Sequence, residues 1–305
     1  MFASLLAAAV AAAAQTISIP IQKPPPQVDR PIAPIETAGP VFDGTCKDWD
    51  DWDKPAPPVR IHGNTYLLGT CGISAVLITG SEGHVLIDAA TEAGADLIAR
   101  NIRGLGFRLA DVKYLLHSHE HIDHVGGMAR LQQLTGAQLV ASPAAAAVFK
   151  TGAAGPGDPQ VGMHPPFRAA RVDRIIKDGE EVRLRDLALT AIPTPGHTPG
   201  ALSWTWTSCD GGVCRRLVYA DSLTPVSRDG YHFTDHPAEL AAFRASLAKV
   251  AALDCDILLT PHPSASGMLD RLGGRAPLEN RNACRDYAAK LTRQLDERLA
   301  KEAAK

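Results

Sequence analysis

The hydrophobic and polar residues in the first half of the chain form short runs separated by glycine. The stretches "NTYLLGT", "SAVLITG" and "GHVLIDAA" are brief aliphatic runs of this kind and predict strands joined by tight turns. Apolar residues then recur at helical spacing in "TEAGADLIARNIRGLG", which predicts a helix that ends at Gly104. The next stretches, "VKYLL", "GGMARLQQLTG" and "AQLVAS", predict a buried strand, a helix and another strand.

The second half of the chain repeats this order of strands followed by helices. Strands are predicted in "EEVRLRDLALTAI", "ALSWTWTS" and "CRRLVYADS", then a helix in "PAELAAFRASLAKVAAL", a buried strand in "CDILLTP" and a final helix from about Pro277. Trp204 and Trp206 alternate on one predicted strand, so both should point into the core. Two groups of strands, each followed by helices, predict an α/β fold with two facing sheets between helices, a four-layer αββα sandwich.

The start of the chain differs in composition from the rest. Residues 1–14 are apolar and end in an A-x-A pattern at Ala12 to Ala14, which predicts a signal peptide and export to the periplasm. The stretch lacks a basic beginning, so an alanine-rich tail is the alternative, and it is too short to span a bilayer. Residues 15–40 are rich in proline and predict an extended or disordered leader. We expect a single folded domain over residues 41–305.

The charge and the composition of the chain indicate which kinds of molecule it is expected to bind. Of the 305 residues, 45% are hydrophobic, which is enough for a large buried core, and the formal net charge is −2. Nucleic-acid binding normally needs an excess of lysine and arginine to contact phosphates, so nucleic acid is not an expected partner. We expect a monomer that acts on a small molecule, without a nucleic-acid or membrane partner.

The chain has an even number of cysteines, which is typical of disulfide-bonded proteins in an oxidising compartment. They are Cys46, Cys71, Cys209, Cys214, Cys255 and Cys284. Cys209 and Cys214 flank the turn sequence "DGGV" and can bridge across a hairpin. A structural zinc site is the alternative, but the sequence contains no C-x-x-C pair, so disulfides are the favoured interpretation.

The stretch "SHEHIDHVGG" at residues 118–127 concentrates the candidate chemistry of the chain. It follows the strand "VKYLL" and precedes a helix, so it lies at the carboxyl end of a strand, where α/β folds place their sites. In an extended segment His119 and His121 point to the same side, and Asp123 and His124 follow after the chain turns. Imidazole and carboxylate together suit zinc, and a polar surface loop is the alternative.

Further ligands must come from elsewhere, because one metal needs three or four and two metals need about six. His197 in "PTPGHTPG" and His262 in "LLTPHPSASG" follow predicted strands, and the flanking proline and glycine fix the direction of each side chain. His117 and Glu120 point away from His119, and we expect them to support the ligands by hydrogen bonds. Surface or hydrogen-bonded roles are expected for the other histidines without partners at metal spacing, His62, His84, His164 and His232.

The stretches "SHEHIDHVGG", "PTPGHTPG", "YADSLTPVS" and "LLTPHPSASG" together resemble the metallo-β-lactamase superfamily, over nearly the whole predicted domain. The last two are similar to class B, subclass 3. This resemblance implies two zinc ions, the first held by His119, His121 and His197. It implies that Asp123, His124 and His262 hold the second. A zinc-bound hydroxide, oriented by Asp123, would attack the lactam carbonyl.

The resemblance also bears on the substrate contacts. Related hydrolases such as glyoxalase II place an aspartate that bridges both metals where subclass 3 lactamases have a serine. Asp221 and Ser222 are adjacent here, and the continuation "ADSLTPVS" favours Ser222 at that position. Ser222 and Thr224 would then contact the second zinc's water and the substrate carboxylate. Gln160 in "DPQ" matches a position near the substrate in one subclass member.

The arrangement of the six cysteines resembles the three disulfides of an enzyme in this subclass. We therefore expect Cys46 to pair with Cys71 and Cys255 with Cys284, beside the hairpin pair.

The resemblance implies a periplasmic, zinc-dependent β-lactamase that hydrolyses the amide bond of penicillins, cephalosporins and carbapenems and so confers antibiotic resistance. The first alternative is a dizinc hydrolase of the same fold acting on a thioester or lactone, like glyoxalase II; the predicted export and disulfides disfavour it. The second is a zinc-binding protein of this fold without catalysis, which the complete ligand set disfavours. A phosphodiesterase or nuclease would need a basic excess.

Overall fold

The computed structural model of the chain describes residues 35–47 and 51–304. The predicted signal peptide and most of the predicted leader lie outside these residues. Helix α1 spans Ile35–Thr45, so residues 35–40, predicted as part of an extended or disordered leader, are helical. The helix forms because it packs on the domain: Phe42 is buried between the sheets, and a side chain at Gly39 would meet the backbone of Leu272.

The first sheet has seven strands in the order of the chain. The strands are β1 Val59–His62, β2 Thr65–Leu67, β3 Val76–Gly80, β4 Gly83–Ile87, β5 Val112–Leu116, β6 Gln138–Ala141 and β7 Val172–Ile175. β1 to β4 are antiparallel and β4 to β7 are parallel. Four helices connect the parallel strands: α2 Glu92–Gly104, α3 Ile122–Val125, α4 Met128–Thr135 and α5 Pro143–Thr151.

The second sheet has five strands in the order β12-β11-β10-β9-β8. Its strands are β8 Glu181–Leu184, β9 Leu187–Pro193, β10 Leu202–Asp210, β11 Val213–Tyr219 and β12 Ile257–Leu259. Only the β11–β12 pair is parallel. Its helices are α6 Pro237–Ala251, α7 Met268–Leu272 and α8 Ala283–Ala303. The last helix begins at Ala283 and not near Pro277. The Leu278 carbonyl accepts a hydrogen bond from the Arg271 side chain, and the Asn280 N–H donates to the Asp256 carbonyl, so neither group is available for a helix.

The period-2 alternation of the strands builds the four layers. Val85 and Ile87 face the second sheet, whereas Leu86 between them packs under α2 and α4. On β11, Leu217 likewise faces the first sheet and Val218 packs against α6 and α8. Each face of both sheets is therefore covered, and the predicted αββα sandwich is confirmed.

The two tryptophans expected in the core lie between the sheets. Trp204 and Trp206 are both buried, and each satisfies its indole N–H. Trp204 Nε1 donates to the His117 carbonyl at 2.9 Å, and Trp206 Nε1 donates to Thr65 Oγ1 at 3.1 Å. The prediction of core packing for this pair is confirmed.

All six cysteines are joined in disulfides. The structure pairs Cys46 with Cys71, Cys209 with Cys214 and Cys255 with Cys284, the arrangement expected from the resemblance. In the part of the chain that the structure describes, no helix is both long and apolar enough to cross a membrane.

Candidate metal centre

The candidate site lies where the loops at the ends of four strands meet. His119 and His121 follow β5, His197 follows β9, Ser222 follows β11 and His262 follows β12. The first two come from one sheet and the other three from the second, so the site lies at an edge shared by both sheets.

The double glycine that follows helix α3 allows the chain to pass close to the loop after β4. A side chain on Gly127 would lie 2.4 Å from the carbonyl oxygen of Ala89, a distance that no Cβ tolerates. Helix α3 begins at Ile122, directly after His121, so Asp123 and His124 lie within this short helix, where both are buried.

The first predicted ligand set comes together as three buried imidazoles. His119, His121 and His197 each offer a ring nitrogen, and these nitrogens lie within 4.8 Å of one another. The ring centroids are 4.7 to 5.0 Å apart. Three imidazoles in a near-equilateral triangle can hold one metal ion and leave a coordination position open.

The second predicted set lies beside the first. The nitrogen and oxygen donors of His119, Asp123 and His124 also lie within 4.8 Å of one another, so His119 adjoins both groups. Asp123 Oδ2 is 3.0 Å from His124 Nε2 and 3.5 Å from His262 Nε2. The two imidazole nitrogens are 3.3 Å apart. The structure therefore brings Asp123, His124 and His262 together as well.

Two of the imidazoles are held from behind by buried carboxylates. His119 Nδ1 lies 2.8 Å from Asp221 Oδ1, and His121 Nε2 lies 3.0 Å from Asp158 Oδ2. Such a hydrogen bond fixes the ring orientation and leaves the other nitrogen of the ring for a metal. It also increases the electron density on that nitrogen.

Backbone carbonyls hold two more imidazoles in the same way. His197 Nδ1 donates to the carbonyl oxygen of Thr224 at 2.9 Å, and His262 Nδ1 donates to that of Gly72 at 3.1 Å. Four of the five histidines thus carry the outer hydrogen bond that metal-binding histidines in proteins show.

Burial prepares these groups to bind a cation. It lowers the pKa of His197 to about 3 and the pKa of His119 well below its usual value, so both rings are neutral at neutral pH. Burial alone would raise the pKa of Asp123, but His124 and His262 reverse this and hold it below the usual range. Neutral imidazoles and an ionised carboxylate are the forms that bind zinc.

The donor set fits zinc. Nitrogen donors dominate, whereas magnesium and calcium prefer oxygen ligands. The buried hydroxyl of Ser222 has no hydrogen-bond partner among the described residues, and a buried hydroxyl is costly unless something satisfies it. The type of donor, the burial of the ligands and the unpartnered hydroxyl of Ser222 are all consistent with a site that binds a metal ion and a metal-bound water.

Two of the three predicted substrate contacts, Gln160 and Thr224, lie beside His197 of the first ligand set. Gln160 Nε2 is 3.3 Å from His197 Nε2, and Thr224 Oγ1 is 3.1 Å from His197 Nδ1. Gln160 and Ser222 are buried. His164, for which the sequence predicted a surface or hydrogen-bonded role, lies at the edge of the site, 6.1 Å from His121 between ring centroids.

His117 and Glu120 act on loops rather than directly on the ligand side chains. Glu120 accepts hydrogen bonds from Thr198 Oγ1 at 2.6 Å and Gly200 N at 2.8 Å, which ties the loop of His197 to the histidine motif. His117 Nε2 accepts from Ser142 N at 3.2 Å. Both residues therefore support the site by fixing neighbouring loops and not by contacting a ligand side chain.

Sequence reasoning missed Asp88 and Asp158. Asp88 accepts hydrogen bonds at 2.7 Å from Ser118 N, Ser118 Oγ and Tyr219 Oη, and so fixes the start of the histidine motif. The signal was present, because an aspartate ends the buried strand "VLIDAA" and a buried carboxylate needs partners. Asp158 stands in a loop 37 residues from His121, and no local pattern links the two.

Comparisons with known proteins agree with this geometry. The model of the family described as "Metallo-beta-lactamase superfamily" matches residues 68–262. The chain belongs to the metallo-β-lactamase superfamily. The resemblance found in the sequence is thereby confirmed at the level of the superfamily.

Solved metallo-β-lactamases are similar over almost their whole length. The structure described as MIM-2 Metallo-Beta-Lactamase is 57% identical, with 87% of this chain and 98% of that chain covered and a TM-score of 0.84. MIM-1 from Novosphingobium pentaromativorans is 47% identical, with the same coverage and a TM-score of 0.85. MEM-A1, a subclass B3 enzyme from a soil metagenome, is 44% identical over 83% of this chain and 99% of that chain, with a TM-score of 0.81.

Curated relatives are more distant. The hydroxyacylglutathione hydrolase of Anaeromyxobacter dehalogenans (strain 2CP-C) is 29% identical over 65% of this chain and 59% of that protein. The hydroxyacylglutathione hydrolase of Methylococcus capsulatus (strain ATCC 33009 / NCIMB 11132 / Bath) is 34% identical over 46% of this chain and 45% of that protein. The chain thus matches roughly half the length of these relatives.

Proposed function

We propose that this protein is a dizinc β-lactamase of subclass B3 that hydrolyses the amide bond of penicillins, cephalosporins and carbapenems. The observation that carries the proposal is the pair of adjoining ligand groups around His119. Similarity to solved metallo-β-lactamases over 98–99% of their length supports the enzyme class and the substrate class. The stretches "GTCGISA", "SWTW" and "ALDCDIL" also resemble the Adelaide imipenemase.

Two sets of residues would hold the metals. His119, His121 and His197 would bind the first zinc, and Asp123, His124 and His262 the second. Bound zinc supplies a water with a pKa near 7 and an electrophile for the lactam carbonyl oxygen.

The chain's own side chains position the reactants. Asp123 stays ionised at neutral pH, so it can accept a hydrogen bond from the attacking water and direct a lone pair at the carbonyl carbon. The carbon–nitrogen bond of the ring then breaks, and the nitrogen takes up the proton that the attacking water loses. Ser222 and Thr224 would bind the substrate carboxylate, and the amide of Gln160 would contact the substrate beside His197.

The contacts of Asp221 support the β-lactamase over the thioesterase alternative. In this structure both carboxylate oxygens of Asp221 have partners: Oδ1 lies 2.8 Å from His119 Nδ1, and Oδ2 accepts the backbone N–H of Leu223 at 3.4 Å. The unpartnered hydroxyl of Ser222 is available for water or substrate. This arrangement fits a serine at the key position, as the sequence continuation favours.

We also propose a periplasmic location and a role in antibiotic resistance. Three disulfides support an oxidising compartment. All six proposed ligands come from one chain, so the proposed site needs no second copy, and we propose a monomer whose partner is the small-molecule substrate.

The first test is hydrolysis of a carbapenem, followed by absorbance. We expect turnover that a chelator abolishes and added zinc restores, and we expect the same for a penicillin and a cephalosporin. Zinc-loaded protein that leaves all three intact but cleaves a thioester or a lactone would overturn the proposal in favour of a glyoxalase II-like hydrolase.

His119→Ala should remove nearly all turnover, because this residue adjoins both ligand groups. The control is His232→Ala, at a half-buried position away from the proposed ligands. Metal content of both variants should be measured alongside activity. Wild-type turnover in His119→Ala would contradict the assignment of the site.

A further inference from the structure

The loop between α5 and β7 is closed at its base and reaches the site with its tip. Phe167 N donates to the Gly152 carbonyl at 2.7 Å, which joins the two ends of residues 152–167. Within the loop, the only buried side chains are those of Asp158, Pro159 and Gln160. Phe167 packs on Phe149 at the base of the loop, whereas the tip is buried through the polar side chains of Asp158 and Gln160.

The carboxylate of Asp158 makes two contacts at once. Its Oδ2 lies 3.0 Å from His121 Nε2, and its Oδ1 accepts the backbone N–H of Gln160 at 2.7 Å. The side chain is 2% exposed. A carboxylate accepts on both oxygens, whereas an amide of the same shape accepts on one and donates on the other side.

Two further contacts attach the tip of the loop to the first ligand set and to a neighbouring loop. Gln160 Nε2 lies 3.3 Å from His197 Nε2, and the Pro159 carbonyl accepts the backbone N–H of Arg228 at 2.9 Å. The tip thus touches two of the three imidazoles of the first ligand set, and a neighbouring loop holds it there.

We propose that Asp158 is a positioning residue that couples the order of loop 152–167 to zinc binding at the first ligand set. This inference rests on the proposed zinc site. When His121 gives Nδ1 to the metal, its Nε2 carries a proton that the Asp158 carboxylate accepts, which fixes the ring and strengthens the donor. Because coupling between two equilibria is reciprocal, zinc also orders the loop and thereby places Gln160.

The test replaces the carboxylate by an amide. In Asp158→Asn, the amide oxygen can still accept the Gln160 N–H, but the amide N–H₂ then faces the protonated His121 Nε2. We expect zinc affinity of the first site, measured by competition with a chelator, to fall by about 10- to 100-fold. Asp229→Asn is the matched control, because it removes the same charge from an exposed position.

Hydrogen exchange gives a readout that does not depend on turnover. In the wild type, zinc should slow exchange of the amides in residues 152–167, and in Asp158→Asn this protection should be largely lost. Asp158→Glu, which keeps a carboxylate, should recover part of the affinity. If Asp158→Asn fails to fold, Asp158→Ser removes the carboxylate without adding a buried amide and is read in the same way.

The outcomes separate this inference from the proposed function. A wild type that hydrolyses a β-lactam with zinc, together with an Asp158→Asn variant of unchanged zinc affinity and loop protection, would overturn the inference alone. A wild type that binds no zinc at the first ligand set would overturn both.

Discussion

At the scale of single residues, the site exists because its buried polar groups satisfy one another. Asp88, Asp158 and Asp221 are almost fully buried, and each accepts hydrogen bonds that fix a histidine or the histidine motif. Burial raises the pKa of Asp88 to about 6 and that of Asp221 to about 7. Ionised carboxylates in such places are costly without partners, so a cation in the site would stabilise them.

The buried imidazole of His117 should make stability depend on pH. Burial lowers its pKa from 6.5 to about 3, so below pH 6.5 the unfolded chain takes up a proton that the folded chain does not. Above pH 6.5 His117 is neutral in both states and does not reduce the free energy of unfolding. As the pH falls from 6.5 toward 3, protonation of His117 in the unfolded chain lowers this free energy progressively. At pH 5 the loss is about 2 kcal/mol.

His117→Gln keeps an acceptor for Ser142 N but does not titrate. Between pH 7.5 and pH 5, urea unfolding of the metal-free proteins should show a loss of stability about 2 kcal/mol larger in the wild type than in this variant. Parallel pH dependences of the two proteins would contradict the assignment of His117 as a buried neutral ring.

At the scale of elements, the loops at the strand ends are fixed by a distant helix. Tyr287 on α8 donates its hydroxyl to the carbonyls of Asp221 at 2.9 Å and Ser222 at 2.8 Å. The disulfide between Cys255 and Cys284 joins the first turn of α8 to the start of the segment that carries His262. Helix α8 therefore helps to position two of the loops that form the site.

Loss of that disulfide should weaken both the fold and the site. For Cys284→Ala we expect the free energy of unfolding to fall by about 2 to 5 kcal/mol, because the unfolded chain gains freedom. We also expect weaker zinc retention under dialysis against a chelator. The control is Cys209→Ser with Cys214→Ser, which removes a disulfide with a sequence separation of only 5 and lies in the β10–β11 hairpin.

In the control, stability should fall less and zinc retention should not change, because a short closed loop restricts the unfolded chain less. Equal zinc retention in folded Cys284→Ala and wild type would contradict the link between α8 and the metal site.

At the scale of the whole molecule, the proposed metals connect the two sheets. His119 and His121 are attached to the first sheet through β5, whereas His197 and His262 follow β9 and β12 of the second. A metal held from both sides stabilises the native sandwich but not the unfolded chain. The free energy of metal binding therefore adds to the free energy of unfolding.

Removal of zinc should accordingly lower the melting temperature. At a free zinc concentration of 1,000 times Kd, one site adds about 4 kcal/mol, which corresponds to a shift of roughly 10 °C for a domain of this size. Magnesium at the same concentration should produce no shift, because the donors are mainly nitrogen. A melting temperature in wild type that is insensitive to zinc would argue against ligands contributed by both sheets.

Several elements escaped prediction for a shared physical reason. β1 and β7 are only four residues long, so each contains just two apolar residues. In β7 no position is buried, and such short stretches are a weak signal for a strand. The alanine-rich helix α5 has no strong apolar face and is held by packing on the first sheet. These elements depend on neighbours that a local window of sequence does not contain.

The sequence by itself determined the sandwich and the candidate ligands. Alternation along the strands sets which residues face the interior, and the spacing in "SHEHIDHVGG" sets which side chains can converge. Only the tertiary structure decided which nitrogen of each imidazole faces outward and that Asp88, Asp158 and Asp221 fix the histidines and their motif. The reason is that these partners are far apart along the chain. Asp221 is 102 residues from His119, and the two side chains come within hydrogen-bond distance only when the two sheets pack together.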